Sequence, residues 1–195
     1  QRQMCIRDRY YYPSRYNALL NDEQRAFCRS IYQFKQGDIH GIEFFKTCMN
    51  ALQLKKRPYH IMFMPCSNWI KYGQRFKRLD WYIGKHRQDL TSGLYDVDIC
   101  DARESLHEAK GGEKRILERN YLITGNIKGK EIIIIDDVLT TGQSVADYKE
   151  EIERCGGKVV AAIFYGKTFS MPSMLLVQIH IWGNHIAHII ERMTK

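Results

Sequence analysis

Lys130-Glu131-Ile132-Ile133-Ile134-Ile135-Asp136-Asp137-Val138-Leu139-Thr140-Thr141-Gly142-Gln143-Ser144-Val145 asks for a strand, a turn and a helix start in immediate succession. Ile132 to Ile135 is an unbroken β-branched run with no polar alternation, which predicts a short strand buried on both faces of a helix-covered parallel sheet. Two adjacent carboxylates stand at its carboxyl end. Small hydroxyl residues and a glycine follow, and then a stretch, residues 145–154, that reads as helical. Open α/β sheets bind their ligands at this edge.

The residue types narrow the ligand. Thr140, Thr141 and Ser144 offer hydroxyl donors, Gly142 lets backbone approach closely, and the unpaired N–H groups of the next helix attract an anion. That half is a phosphate cradle. Asp136 and Asp137 would repel a bare phosphate, so they accept hydrogen bonds from nearby sugar hydroxyls or help to hold a divalent cation. A lone Asp-x-x-Thr-Gly is more often a helix cap, but the complete ordered string favours a phosphate ester carrying a diol. No Gly-x-x-x-x-Gly-Lys-Ser/Thr occurs in the chain, which argues against nucleoside triphosphate hydrolysis.

Residues 133–144 resemble the phosphoribosyl-diphosphate signature of type I phosphoribosyltransferases: three aliphatics, two acids, two aliphatics, Thr-Thr-Gly, any residue, Ser. The resemblance implies an α/β fold with a twisted, mostly parallel sheet, helices on both faces and a small hood from the terminal segments. It makes Asp136 and Asp137 the catalytic acids on the ribose hydroxyls, with Mg²⁺ between them and the pyrophosphate. It assigns the 5′-phosphate to Thr140, Thr141, Gly142, Gln143 and Ser144. The reaction it implies is displacement of pyrophosphate from 5-phosphoribosyl 1-diphosphate by an unknown acceptor, a nucleobase being the natural class. Cys66, Ser67 and Asn68, after the apolar run at residues 60–64, are pyrophosphate-binding candidates by resemblance and by their N–H groups ahead of a helix. A plain Ser/Asn helix cap explains them equally well. Lys167 stands where purine-specific members place a base-contacting lysine, against the simpler reading of an exposed strand-end lysine. Thr140 occupies the position where hypoxanthine-type enzymes carry an acid.

The order Arg103, Leu106-His107, Arg119-Asn120-Tyr121 and Gly129-Lys130 resembles the competence-protein-F-like branch of the family across residues 59–167. Two departures mark it. The Cys-x-x-Cys zinc module of that branch is missing, and its Arg-Gly-Phe-Asn-Gln motif is represented only by Gln74-Arg75-Phe76-Lys77-Arg78. Polar residues 101–115 suggest a lid, from which Arg103, Lys110, Lys114 or Arg115 would close over the pyrophosphate. Arg103 is taken as the catalytic candidate.

A chain of 195 residues suits one α/β domain. Its formal charge of +8 fits a polyanionic sugar phosphate and also leaves room for nucleic acid. Six scattered cysteines without a paired spacing indicate neither zinc ribbon nor disulfide framework, and no apolar run reaches bilayer length. The expectation is a cytoplasmic protein without a membrane partner, compatible with a homodimer. Gln3-Met4-Cys5-Ile6-Arg7-Asp8-Arg9 resembles translated sequencing-adapter read-through, so residues 1–9 are set aside as non-native and 10–195 read as a single domain with its core at 59–167.

The remaining elements follow from caps and periodicity. Asn21-Asp22-Glu23 opens a helix to Phe34, and a second helix carries Ile42, Phe45, Cys48, Met49 and Leu52. Residues 74–88 read as a helix whose Arg75, Lys77, Arg78, Lys85 and Arg87 form a solvated basic face. Residues 94–100 and 158–165 read as strands. His180, His185 and His188 in the tail read as packing or solvated histidines rather than metal ligands. A different class of function also fits: a non-catalytic module that binds a phosphoribosyl ligand and regulates DNA uptake, processing or defence.

Overall fold

The computed structural model describes residues 3–6, 10–12, 18–52, 54, 57–100, 120–168 and 182. The elements run β1 (Gln3–Ile6), β2 (Tyr10–Tyr11), α1 (Asp22–Lys35), α2 (His40–Ala51), β3 (Tyr59–Phe63), α3 (Trp69–His86), β4 (Leu90–Ser92), β5 (Val97–Ile99), β6 (Tyr121–Ile123), β7 (Glu131–Leu139), α4 (Gln143–Arg154) and β8 (Lys158–Thr168). Five strands form a parallel sheet in the order β1-β8-β7-β3-β4, and β2 extends the outer edge along β8. The central strand is β7, where Ile132 to Ile135 are all 0% exposed. An unalternating β-branched run is what a strand covered on both faces requires.

Side-chain alternation assigns each helix to a face. Ile61 and Phe63 lie in register with Ile133 and Ile135, which pair with Ala161 and Ile163. Two residues further on, Tyr165 meets Phe27 and Phe34 of α1 and Phe44 of α2, while Phe63 stacks on Phe76 of α3 at 4.7 Å between centroids. This face therefore carries α1, α2 and α3. The alternate set points the other way, where Ile132 meets Ile152 of α4 around Gly157. A Cβ at Gly157 would fall 2.5 Å from Ile132 and 2.9 Å from Ile152, so glycine lets helix end and strand close together. The sheet is thus mostly parallel with helices on both faces, a type I phosphoribosyltransferase fold.

Local signals account for the helix boundaries. Asn21 and Gln24 form a reciprocal capping box at the start of α1, and Asn68 caps α3 by accepting the Lys71 N–H at 2.9 Å. That cap starts α3 at Trp69, a turn and a half before the periodicity at residues 74–88 suggested. Residues 94–100 supply only the short β5, which pairs with β6 in an antiparallel hairpin off the main sheet. The sheet edge is instead β4, whose three residues are too few to show periodicity. The segment set aside in the sequence, Gln3–Ile6, pairs with residues 161–164 of β8 as an outer strand. N-terminal α1 and α2 overlie the sheet. The proposed lid at 101–115 and the C-terminal part of the hood, with its histidines, lie outside the described residues.

Candidate functional site

The acid pair stands where β7 leaves the sheet's centre. Asp137 follows Ile133 and Ile135 on the face of α1 and α3, and is 6% exposed. Arg75 of α3 reaches it there, with its terminal nitrogen 2.8 Å from Asp137 Oδ2 and 3.5 Å from Asp136 Oδ1. Lys35, at the end of α1, brings Nζ to 3.6 Å from the same Asp137 oxygen and lies 5.6 Å over the ring of Tyr11. The Tyr11 hydroxyl is in turn 2.9 Å from that of Tyr32. Both carboxylates also accept backbone hydrogen bonds: Asp136 from the Asp137 N–H at 2.8 Å, Asp137 from the Val138 N–H at 2.6 Å.

Burial and the neighbouring Asp137 charge push the Asp136 carboxyl up to about 7, against the pull of the Asp137 N–H, Arg75 and Lys35. Near neutral pH the repulsion between the two carboxylates is relieved by partial protonation of Asp136 and by the two neighbouring cations. Arg75 Nε is buried without an acceptor. The guanidinium is therefore spent on the acids and retains one donor facing the interior.

Beyond Leu139 the chain turns through Thr140, Thr141 and Gly142. Gly142 has φ +86°, the left-handed region that disfavours side chains, and it stands at the N-cap of α4 with no side-chain cap on the helix. The first helical bond is from Ala146 N–H to Gly142 C=O, so the N–H groups of Ser144 and Val145 precede the ladder. Gln143 N–H makes only a long bond, 3.4 Å, to Thr141 Oγ1. Thr140, Thr141, Gln143 and Ser144 are exposed. The turn leaves room for an oxyanion, since a Cβ on Gly142 would meet nothing nearer than Leu139 at 3.9 Å.

The second loop, Cys66 to Asn68, lies beside the first because β3 and β7 are neighbours and the Met64 N–H bonds Ile135 C=O at 2.9 Å. Cys66 is buried, and burial pushes its thiol up to about 11, so it packs as a neutral group rather than acting as a nucleophile. Asn68 is used as the α3 cap, while Ser67 is exposed and accepts from Lys71 Nζ at 3.3 Å. Asn120, at the foot of the hairpin, donates to the Cys66 carbonyl at 2.8 Å. Lys167 is exposed and in register with Leu139, one residue before the phosphate turn. Arg103, with Lys110, Lys114 and Arg115, lies outside the described residues.

Three contributors escaped the sequence reading. Arg75 belongs to no solvated face but turns onto the acid pair; its one signal was the partial match of Gln74-Arg75-Phe76 to the Arg-Gly-Phe-Asn-Gln motif. Lys35 carried no signal, because its role depends on where α1 ends relative to β7. Asn120 stood within the branch resemblance, yet its link to Cys66 spans 54 positions. Among the described residues no three His, Cys, Asp or Glu side chains converge as a metal site.

A parallel sheet that offers an acid pair and an uncapped, glycine-led helix start at its carboxyl edge is similar to what the phosphoribosyltransferase resemblance implies. Residues 88–168 match the family model described as "Phosphoribosyl transferase domain", a match that contains the acid pair and the phosphate turn and leaves out Cys66 to Asn68. The chain is 42% identical over 57 residues to an orotate phosphoribosyltransferase from Sulfolobus acidocaldarius, covering 29% of this chain and 26% of that protein. It is 30% identical over 98 residues to the transcriptional regulator GfcR of Methanocella arvoryzae, covering 50% and 38%. A similar 30% over 63 residues relates it to GfcR 1 of Methanosarcina barkeri, covering 32% and 29%. The chain thus spans well under half the length of these curated relatives.

Proposed function

We propose that the chain binds 5-phosphoribosyl 1-diphosphate across the β7–α4 turn and transfers its phosphoribosyl group to a nucleobase-like acceptor, releasing pyrophosphate. The observation that carries this is the placement of an uncapped helix N-terminus, led by Gly142 at φ +86°, directly beyond two carboxylates at the sheet's centre. The helix start and the Thr140, Thr141 and Ser144 hydroxyls suit the 5′-phosphate. Asp136 and Asp137 suit the ribose diol and the positive charge that grows on the sugar as pyrophosphate departs. The N–H groups at the start of α3 suit the pyrophosphate, with Asn120 keeping the Cys66 carbonyl engaged elsewhere. Lys167, whose backbone is in register with Leu139 just before the turn, is the candidate base contact.

The acid pair does not fit a resident Mg²⁺, because Arg75 and Lys35 already engage Asp137 and backbone N–H groups engage both carboxylates. In this proposal Mg²⁺ accompanies the pyrophosphate oxygens, and no protein step depends on it. A cytoplasmic setting and the competence-protein-F-like assignment belong to the same proposal, the latter resting on Asn120, Tyr121, Gly129 and Lys130 among the described residues.

A regulatory reading has its own support in the two GfcR relatives: the pocket binds a phosphoribosyl ligand without turning it over. Calorimetric titration with 5-phosphoribosyl 1-diphosphate, run beside pyrophosphate release with a panel of nucleobases, separates the two. Binding with release supports transfer; binding without release on any base supports the regulator. Gly142→Val should abolish binding, since its side chain fills the anion's place, while left-handed strain costs roughly 1–2 kcal/mol of stability. Ser144→Ala should weaken binding with no such strain. Undiminished binding in both folded variants would place the ligand elsewhere.

A further inference from the structure

We infer that Arg75 and Lys35 are resident counter-ions of the acid pair, and that Arg75 is a positioning residue that holds Asp137 for the diol while keeping divalent cations off both carboxylates. The inference rests on the proposal above for the diol, and on the geometry alone for the cations. Two different helices deliver a positive charge to one carboxylate oxygen: Arg75 from α3 at 2.8 Å and Lys35 from α1 at 3.6 Å. Arg75 spans the pair, since it also lies 3.5 Å from Asp136 Oδ1. A guanidinium keeps its charge at every accessible pH, and Lys35 is steadied over Tyr11. Two carboxylates facing two cations leave little net charge to attract a metal.

Mg²⁺ demands oxygens at about 2.0–2.1 Å in near-octahedral order and sheds water reluctantly. To sit on Asp137 it would have to displace a guanidinium or be repelled by it at close range. The remaining hydrogen-bonding capacity of the pair suits neutral hydroxyls, which donate to a carboxylate without bringing charge. The acid pair is therefore a diol receptor with built-in cations, and any metal requirement comes from the ligand's pyrophosphate.

The experiment uses the full chain and two probes. The first is Mn²⁺ on the ligand-free protein, followed by electron paramagnetic resonance. The parent should bind none at the acid pair at millimolar Mn²⁺. Arg75→Ala and Arg75→Gln should acquire a site that disappears when Asp137→Asn is added. The second is ribose 5-phosphate, which carries the diol and no pyrophosphate. Its affinity for the parent should be the same with and without Mg²⁺. It should fall about tenfold or more in Arg75→Ala, the loss expected for a misplaced charged hydrogen-bond acceptor, and become Mg²⁺-dependent. Arg75→Lys should recover most of it, which a purely structural role for the fork would not predict. A parent Mn²⁺ site lost in Asp137→Asn would overturn the inference, as would Arg75→Ala that binds ribose 5-phosphate undiminished and independently of Mg²⁺. If the parent ignores ribose 5-phosphate altogether, the functional proposal fails, while the Mn²⁺ measurement still judges the counter-ions.

Discussion

Asp136 and Asp137 are adjacent in sequence and unlike in surroundings. The sequence treats them as a matched pair, which predicts that a double Asn variant would be at least as heat-stable as the parent. The structure separates them. Asp136 sits in burial beside a like charge, and its carboxyl is pushed from the ordinary 3.8 to about 7. A folded state that holds a proton the unfolded chain has released loses stability as pH rises from about 4 to about 7. Asp136→Asn should therefore leave stability unchanged near pH 4, raise it at pH 7 and flatten the slope between. Asp137 is the ion-pair partner of both Arg75 and Lys35, so Asp137→Asn leaves Lys35 against a neutral amide and Arg75 with only the Asp136 carboxylate at 3.5 Å. That should destabilise the protein on the order of 3 kcal/mol, the range for breaking a buried pair. Urea unfolding of both variants at pH 4, 5.5 and 7 checks this, and equal behaviour of the two would refute the separation.

The hairpin of β5 and β6 is held to the sheet by a side-chain link rather than a ladder. His60 of β3, 3% exposed, bridges Thr91 Oγ1 at 2.7 Å and Asp96 Oδ2 at 2.6 Å. The Asp96 carbonyl takes the N–H groups of Thr124 and Gly125 at the far end of the hairpin. Gly125 must lack a side chain, because a Cβ there would lie 2.2 Å from the Asp96 carboxyl. Asp96→Ala and Gly125→Ala should each loosen the hairpin. Hydrogen exchange at Val97, Ile99, Tyr121 and Ile123 should quicken about tenfold for a loss near 1.4 kcal/mol, with Ile133 to Ile135 unmoved. Equal acceleration in both regions would mean the link serves the whole fold. Burial and Lys130 lower the His60 value against the pull of Asp96. Protonation therefore opposes folding, and hairpin protection should weaken as pH falls below about 6.5.

Elements also mark the limit of sequence legibility. The turn at Thr140 to Ser144 and the strand before it were readable because every determinant is local: β-branching, paired acids, a glycine that must adopt positive φ. Arg75, Lys35 and the His60–Asp96 link were not, because each depends on which strands become neighbours. A basic residue on a predicted helix gives no sign of whether its face turns outward or onto a carboxylate from another element.

At the scale of the molecule, the open question is the outer edge of the sheet. β8 is eleven residues long and largely buried, with Ala161 to Tyr165 covered on both faces of the sheet. Gln3–Ile6 covers its middle in parallel register, Gln3 against Ala161 through Ile6 against Phe164, and Tyr10 and Tyr11 continue against Lys167 and Thr168. Residues 1–9 resemble adapter read-through, and a foreign string would contribute nothing selected for this sheet. The strand pairing argues the other way. An uncovered β8 would present a row of unpaired backbone groups on a long apolar strand, a template for association with another copy. A chain beginning at Tyr10 should therefore melt lower than the parent by at least about 4 °C, corresponding to roughly 1–2 kcal/mol in a protein of this size. It should also form dimers or larger species as concentration rises, seen by light scattering. An unchanged melting temperature and a monomer at all concentrations would show that the first nine residues are dispensable to the fold.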